Sequence, residues 1–331
     1  MNKVTIQDIT KKTGISKSTV SRVLTGKGYV SQSVRDIVLE AVNELGYVPQ
    51  KSHNKNVNEM VMIVSCQLDS DAQIKLSKTI SSSLQEKGYK TVIVSVEFGS
   101  NTIYDYLDYA CSKNFGGLII LGALETRQLR LSLMNMHCPI VLLNQKIEGI
   151  PTCSLMLEDK QAGYDATKYL IDKGHKKILF LTGFDNATAL ADREEGFLKA
   201  IKENNISYEI KRTDFKEESA EKIAKELIEM KFPCSAILCA TDALLSGLLK
   251  VFKKEKIEIP KLVSVMSFEN TLLTEIYNPQ ISVVSYDFNE IGKKMAELLV
   301  ERIGKPYNKM KSIKCYSTLI ARNSVKDTKK R

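Results

Sequence analysis

The segment "GISKSTVSRVL", Gly14 to Leu24, sets two cations, Lys17 and Arg22, among four small hydroxyls and no acid. Recognition of a polyanionic duplex needs such a set. Hydroxyls and cations donate to phosphate oxygens, an arginine fork can reach a guanine edge, and a carboxylate would be repelled. At helical spacing Val20, Val23 and Leu24 point inward, while Lys17, Ser18 and Arg22 point outward. These three are the candidates for reading base edges, with Arg22 the one suited to guanine. Thr5, Ser16, Thr19, Ser21 and Ser31 are placed for the phosphate backbone, and Tyr29 joins them with a base also within its remit.

Flanking elements must hold that segment. Upstream, "VTIQDITKKTG" puts Ile6, Ile9 and Thr13 on one face, with Thr5 as N-cap and Gly14 as the stop. Ser16 caps the second helix. Ser31 caps a third, "SQSVRDIVLEAVNELGY", where Val34, Ile37, Val38, Ala41, Val42 and Leu45 form an apolar stripe ended by Gly46 and Pro49. Two short helices joined by a Gly-containing turn make a helix-turn-helix, whose second helix suits the major groove.

Charge is placed accordingly. The chain of 331 residues carries a net +9. Residues 1–55 hold Lys3, Lys11, Lys12, Lys17, Arg22, Lys27, Arg35, Lys51 and Lys55 against only Asp8, Asp36, Glu40 and Glu44. The last six residues, "KDTKKR", form a basic tail, so the long middle is nearly neutral. Basic charge concentrated in a small N-terminal unit is what phosphate neutralisation requires. No apolar run is long enough to span a bilayer, and the polar N-terminus does not read as a secretory signal, so the expected location is cytoplasmic with no membrane partner. The seven cysteines form no C-x-x-C pair, and most sit in apolar runs such as "MVMIVSC" and "SAILCA". They read as buried structural thiols, and no metal site or cofactor is expected.

Residues 50–59, "QKSHNKNVNE", are polar and aperiodic and read as a linker. Beyond them, apolar runs such as "VMIVSC", "GGLIIL", "PIVLLN" and "KILFLT" alternate with helical stretches of ten to sixteen residues. Strand–helix alternation with β-branched runs predicts an α/β fold of parallel sheets covered by helices on both faces. About nine strands are expected, divided between two doubly wound lobes, with ligands at the carboxyl ends of the strands.

The block "VTIQDITKKTGISKSTVSRVLTGKGYVSQSVRDIVLEAVNELGYVP" resembles the headpiece of the lactose/galactose-repressor family of bacterial regulators. The remainder is similar to the same family's effector domain, itself like a periplasmic sugar-binding protein. The pieces that carry this are "EDKQAGYDATKYLIDKGHKKILFLTG", "DREEGFLKAI", "AILCATDALLSGLLKVFKKEKIEIP", "LVSVMSFEN" and "IYNPQISVVSYDFNEIGKKMAELLVERI". The resemblance implies a headpiece over 1–49, a hinge linker over 50–59, and an effector-binding and dimerisation domain over 60–325. Lobe one would comprise about 60–157 plus 287–315, and lobe two 158–286 plus 316–325, with the basic tail at 326–331.

The family's ligand-binding arginine falls here on Arg193, and Asp242, which follows the strand "AILCAT" and could accept from hydroxyls, and Glu269 are further candidates for the cleft. A guanidinium suits sugar hydroxyls or a carboxylate, and the competing reading is a surface ion pair with Glu194 or Glu195. Asp242 is equally placed to cap the following helix. Glu269 stands where the family usually carries Asp. In "QLDSDAQ", where the family often has an aromatic, Asp69 and Gln73 are the candidates. The family's hinge wedges a leucine into the minor groove; in "SHNKNVN" Asn56 takes that position and Val57 is the nearest apolar residue, which implies less DNA bending.

The implied protein is a homodimeric transcription regulator, a repressor whose affinity for a double-stranded operator answers to a small effector, most naturally a sugar. A rival is the same architecture answering to a protein partner. No P-loop, G-x-S-x-G or H-E-x-x-H occurs, and no enzymatic activity is expected.

Overall fold

Three short helices open the chain in the computed structural model, which describes residues 4–25, 30–45, 47, 59–66, 70–183, 188–214, 216–304 and 309–329. They are α1 (Ile6–Thr13), α2 (Lys17–Thr25) and α3 (Gln32–Leu45). Local chemistry fixes their ends. Thr5 and Asp8 form a capping box on α1, the Thr5 N–H donating to Asp8 Oδ2 at 2.8 Å. Gly14, at φ 69°, turns the chain out of the helix in a left-handed conformation that a Cβ would disfavour. Ser16 Oγ accepts from the Thr19 N–H at 3.2 Å and starts α2. Ile9, Val20 and Val38 are fully buried together, with Val23, Leu24, Ala41 and Val42 around them. Ile37, expected in this stripe, is instead 49% exposed. It lies at the edge of the apolar arc, and Val38, Ala41, Val42 and Leu45 already close the contact.

The rest of the chain alternates strand and helix. The first part runs β1 (Met60–Cys66), α4 (Asp71–Gln85), β2 (Lys90–Val96), α5 (Thr102–Ser112), β3 (Gly117–Leu121), α6 (Arg127–Met134), β4 (Ile140–Leu143) and β5 (Thr152–Leu157). It continues α7 (Asp159–Asp172), β6 (Lys177–Gly183), α8 (Thr188–Asn204), β7 (Ser207–Thr213), α9 (Glu217–Glu229), β8 (Ala236–Cys239) and α10 (Asp242–Lys254). Then follow β9 (Ser264–Phe268), α11 (Leu272–Ile276), β10 (Ser282–Ser285), α12 (Phe288–Gly304), β11 (Ser312–Cys315) and β12 (Thr318–Ile320).

The strands assemble into two six-stranded sheets, ordered β11-β5-β4-β3-β1-β2 and β12-β10-β9-β8-β6-β7. Among the described residues twelve strands replace the nine or so expected, because four-residue pieces such as "SVVS" and "SIKC" leave no distinct apolar run. Every pairing is parallel except β10 with β12, an antiparallel edge strand. Both sheets reverse strand order at equivalent places, between β1 and β3 and between β6 and β8, where a doubly wound fold opens a crevice.

Side-chain packing joins the two layers. One apolar cluster runs from Ile63 and Leu155 through Ala162 and Phe288 to Phe180 and Phe197. Phe180 of β6 and Phe197 of α8 stack with centroids 4.9 Å apart and rings 17° from parallel. Helices α7 and α8 cross so closely that a Cβ on Gly163 would lie 2.1 Å from the Arg193 carbonyl oxygen, and one on Gly196 would lie 2.0 Å from that of Lys160. Two glycines thus set the depth at which α8 sits. All seven cysteines are unpaired, and burial pushes the Cys66 and Cys138 thiols up to about 12, which keeps them protonated.

Candidate functional site

The headpiece presents the expected surface. Lys17, Ser18 and Arg22 are exposed on α2, opposite the buried Val20 and Val23. Ser16, Ser18 and Thr19 hydrogen-bond one another, Ser16 Oγ lying 3.0 Å from Ser18 Oγ and 2.9 Å from Thr19 Oγ1. The Thr5 hydroxyl donates to Asp8 Oδ2 at 2.7 Å, so its cap role is already engaged. Ser21 is half-buried and Ser31 exposed at the start of α3. Tyr29, Asn56 and Val57 lie outside the described residues.

Between the sheets, at the carboxyl ends of their strands, opens a cavity of about 480 Å³. That is within the size range of small-molecule sites, roughly 300–1,000 Å³. Arg193, Asp242, Glu269 and Gln73 all line it, on residues drawn from both lobes. Asp69 lies outside the described residues. Gln73 is held by its own lobe: its Oε1 accepts from Ser65 Oγ at 3.2 Å, and its Nε2 donates to the Leu121 carbonyl at 3.4 Å.

Arg193 is the centre of the lining. Neither Glu194 nor Glu195 is its partner; they pair with Arg212 and Lys160. The Arg193 Nε donates to Asp159 Oδ1 at 2.9 Å and its Nη1 to the Ala240 carbonyl at 2.7 Å. Its guanidinium carbon lies 4.5 Å from the centre of the Phe268 ring. Asp159 is wholly buried and takes two further donors, Asn144 Nδ2 at 3.1 Å and the Tyr286 hydroxyl at 3.4 Å. Asn144 Oδ1 in turn accepts from the Leu157 N–H at 3.0 Å. The network therefore ties the end of β4 in one sheet to α7 and α8 beside the other. Asp159 and Asn144 escaped the sequence reading, since nothing local in "EDKQ" or "LLNQ" announces a partner tens of residues away.

The acids differ from one another. Thr241, not Asp242, caps α10, accepting from the Leu244 N–H at 3.4 Å. Asp242 is left facing the cavity, and its Oδ1 accepts the adjacent Ala243 N–H at 2.9 Å. Burial raises its carboxyl above the usual range, and the Asp71 charge adds to this. Glu269 follows β9 at φ 74°, a backbone region sparsely used by residues with side chains and often kept at functional sites. Its Oε1 lies 3.9 Å from Arg193 Nη2. Burial pushes the Glu269 carboxyl up to about 7 against the opposing Arg193 charge. Asp71, the first residue of α4, faces the same space and was passed over in favour of Asp69. Among the described residues no group of His, Cys, Asp and Glu side chains is placed to hold a metal, and no helix is long and apolar enough to cross a membrane.

A helix-turn-helix ahead of a two-lobed domain with a ligand-sized cleft defines a DNA-binding transcription regulator of the effector-responsive kind. Residues 5–50 match the family described as "Bacterial regulatory proteins, lacI family", and residues 167–325 match "Periplasmic binding protein-like domain". The N-terminal unit is thus that of LacI-family regulators, and the relatives that align with almost the whole chain are transcription regulators. It is 29% identical to the NTD biosynthesis operon regulator NtdR of Bacillus subtilis (strain 168) over 327 residues, 97% of this chain and 99% of that one. Its fold matches the transcriptional regulator CelR in complex with cellobiose, with a TM-score of 0.71 at 23% identity over 97% of this chain and all of that one. It also matches the lac repressor dimer bound to operator and the anti-inducer ONPF, with a TM-score of 0.72 at 20% identity over 98% and 100% of the two chains.

Proposed function

We propose that this chain is a homodimeric repressor whose hold on a two-fold-symmetric operator is set by a sugar or sugar derivative bound between the lobes. The observation that carries the reading is the cleft itself: a cavity lined by polar side chains from both sheets and tied by the Arg193–Asp159–Asn144 network. Closing the lobes on a ligand would change their relative orientation and pass that change to the linker ahead of β1. A coupling of ~1–3 kcal/mol between the sites is enough for a ~5–150-fold change in operator affinity.

On the DNA side, Lys17, Ser18 and Arg22 read bases, and Ser16, Thr19, Ser21 and Ser31, with Thr5 and Tyr29, contact the backbone. Dimerisation sets half-sites about one helical turn apart. A second copy would cover apolar side chains left in solvent, such as Tyr109 on α5 and Leu272 and Ile276 on α11, the last 70% exposed. The working division is a headpiece over 1–49, a hinge over 50–59 around Asn56 and Val57, and a cleft domain over 60–325. A repressor of chromosomal operators works in the cytoplasm.

The test is selection of operators from random duplexes by the full chain, followed by anisotropy titration with a panel of mono- and disaccharides. A palindromic site released or tightened at least fivefold by one sugar supports the reading. Sites without two-fold symmetry, or affinity indifferent to every sugar, would overturn it.

A further inference from the structure

The charges facing the cleft do not balance. Among the described residues three carboxylates line it, those of Asp71, Asp242 and Glu269, against one guanidinium, Arg193. That guanidinium is already committed to the wholly buried Asp159 and to the Ala240 carbonyl. Among the described residues Glu269 is the cleft acid within ion-pair distance of it, at 3.9 Å, and the Arg193 charge also eases the ionisation of Asp242 from farther off. Among the described residues no ion pair engages Asp71 or Asp242, and the Ala243 N–H is the donor that Asp242 receives.

The two unbalanced acids come from opposite sides. Asp71 opens α4 beside the first sheet, and Asp242 opens α10 beside the second. Each begins a helix, where the backbone dipole favours a negative charge and so supports the ionised carboxylate from behind. Their charges already feel one another, since the Asp71 charge contributes to the raised Asp242 carboxyl. Drawing the lobes together would bring like charges closer in a space that loses water as it closes, and the repulsion would grow as the dielectric falls. A neutral polyol leaves that repulsion in place. A cation seated between the acids turns it into attraction from both lobes.

A bare metal ion is poorly served here, for among the described residues no cluster of ligating side chains surrounds the point. An ammonium group carried on an organic frame is well served. Gln145, Thr241 and Ser246 line the same cavity and can meet hydroxyls, while Phe98, Leu273 and Phe288 offer apolar faces to a ring. We propose that the effector is an amino sugar or similar amine-bearing polyol, whose protonated amine bridges Asp71 of one lobe and Asp242 of the other and so makes cleft closure conditional on its binding. This rests on the reading of the cleft as an effector site.

The experiment is isothermal titration of the full chain at pH 7 with glucosamine, galactosamine and mannosamine, beside the parent hexoses and the N-acetylated forms. One amine should bind at least tenfold tighter than both its parent and its N-acetyl form. The isosteric variants Asp71→Asn and Asp242→Asn should each bring that preference below threefold, with thermal melting confirming that they fold. A parent hexose or N-acetyl form binding as tightly as its amine, or a preference that survives both variants, would overturn the proposal and leave the sugar-effector reading standing. Asp71-dependent binding of calcium chloride alone would overturn it in favour of a metal. A panel silent throughout would remove the sugar-effector reading along with it.

Discussion

Replacing Arg193 with methionine separates what this residue does for the fold from what it does for a ligand. The substitution keeps most of the apolar stem and deletes the charged group that lies over Phe268. It strands Asp159, which has no exposed side-chain surface, with only two neutral donors, Asn144 at 3.1 Å and Tyr286 at 3.4 Å. Breaking a buried pair from one side costs ~3–5 kcal/mol, because the remaining charge stays desolvated. The loss should therefore be of that size at pH 7.5 in urea unfolding followed by circular dichroism. Adding Asp159→Asn to Arg193→Met should recover ~1–3 kcal/mol relative to the sum of the single changes, as expected of contacting residues. A single-variant loss under ~1 kcal/mol, or a double variant additive within ~0.5 kcal/mol, would refute the assignment of Arg193 as the keystone of the cleft wall. An Arg193 variant that fails to respond to a sugar has two causes, which the double variant tells apart.

Three further outcomes are expected. The Glu269 carboxyl, pushed up to about 7, contributes stability that is complete below its unfolded value near 4.3 and is lost as pH rises through 7; Glu269→Gln should thus melt higher than the wild type at pH 8, by ~1–3 kcal/mol, and show no such gain at pH 4, whereas an equal gain at both would contradict the burial argument. Gly163→Ala places a methyl 2.1 Å from the Arg193 carbonyl oxygen, so α7 and α8 must part, and calorimetry should register a loss of ~1–3 kcal/mol typical of overpacking. Arg22→Ala, on the exposed face of α2, should cost ~1–3 kcal/mol on the selected operator and far less on random duplex in anisotropy titrations.

The headpiece was legible because its determinants are local. Thr5 with Asp8, Gly14 and Ser16 punctuate helices through bonds within three or four residues, and Ile9, Val20 and Val38 announce burial by spacing alone. Ile37 shows the limit of that logic: periodicity gives the direction of a side chain, but the breadth of the partner surface decides whether it is covered. The alternation of apolar runs and helices likewise determined the α/β class, while strands as short as β10 and β11 are held by the sheet around them and left too little pattern to find.

The cleft belongs to the tertiary structure. Sequence placed Arg193, Asp242 and Glu269 in it only by position, and offered Glu194 or Glu195 as ion-pair partners for Arg193. Adjacent residues on a helix point in different directions, so the true partner came from Asp159, 34 positions earlier, across a crossing that Gly163 and Gly196 allow. Asp71 and Asp242 acquire their meaning in the same way. Each is an ordinary first-turn acid in its own helix, and only the opposition of two sheets sets one charge before the other.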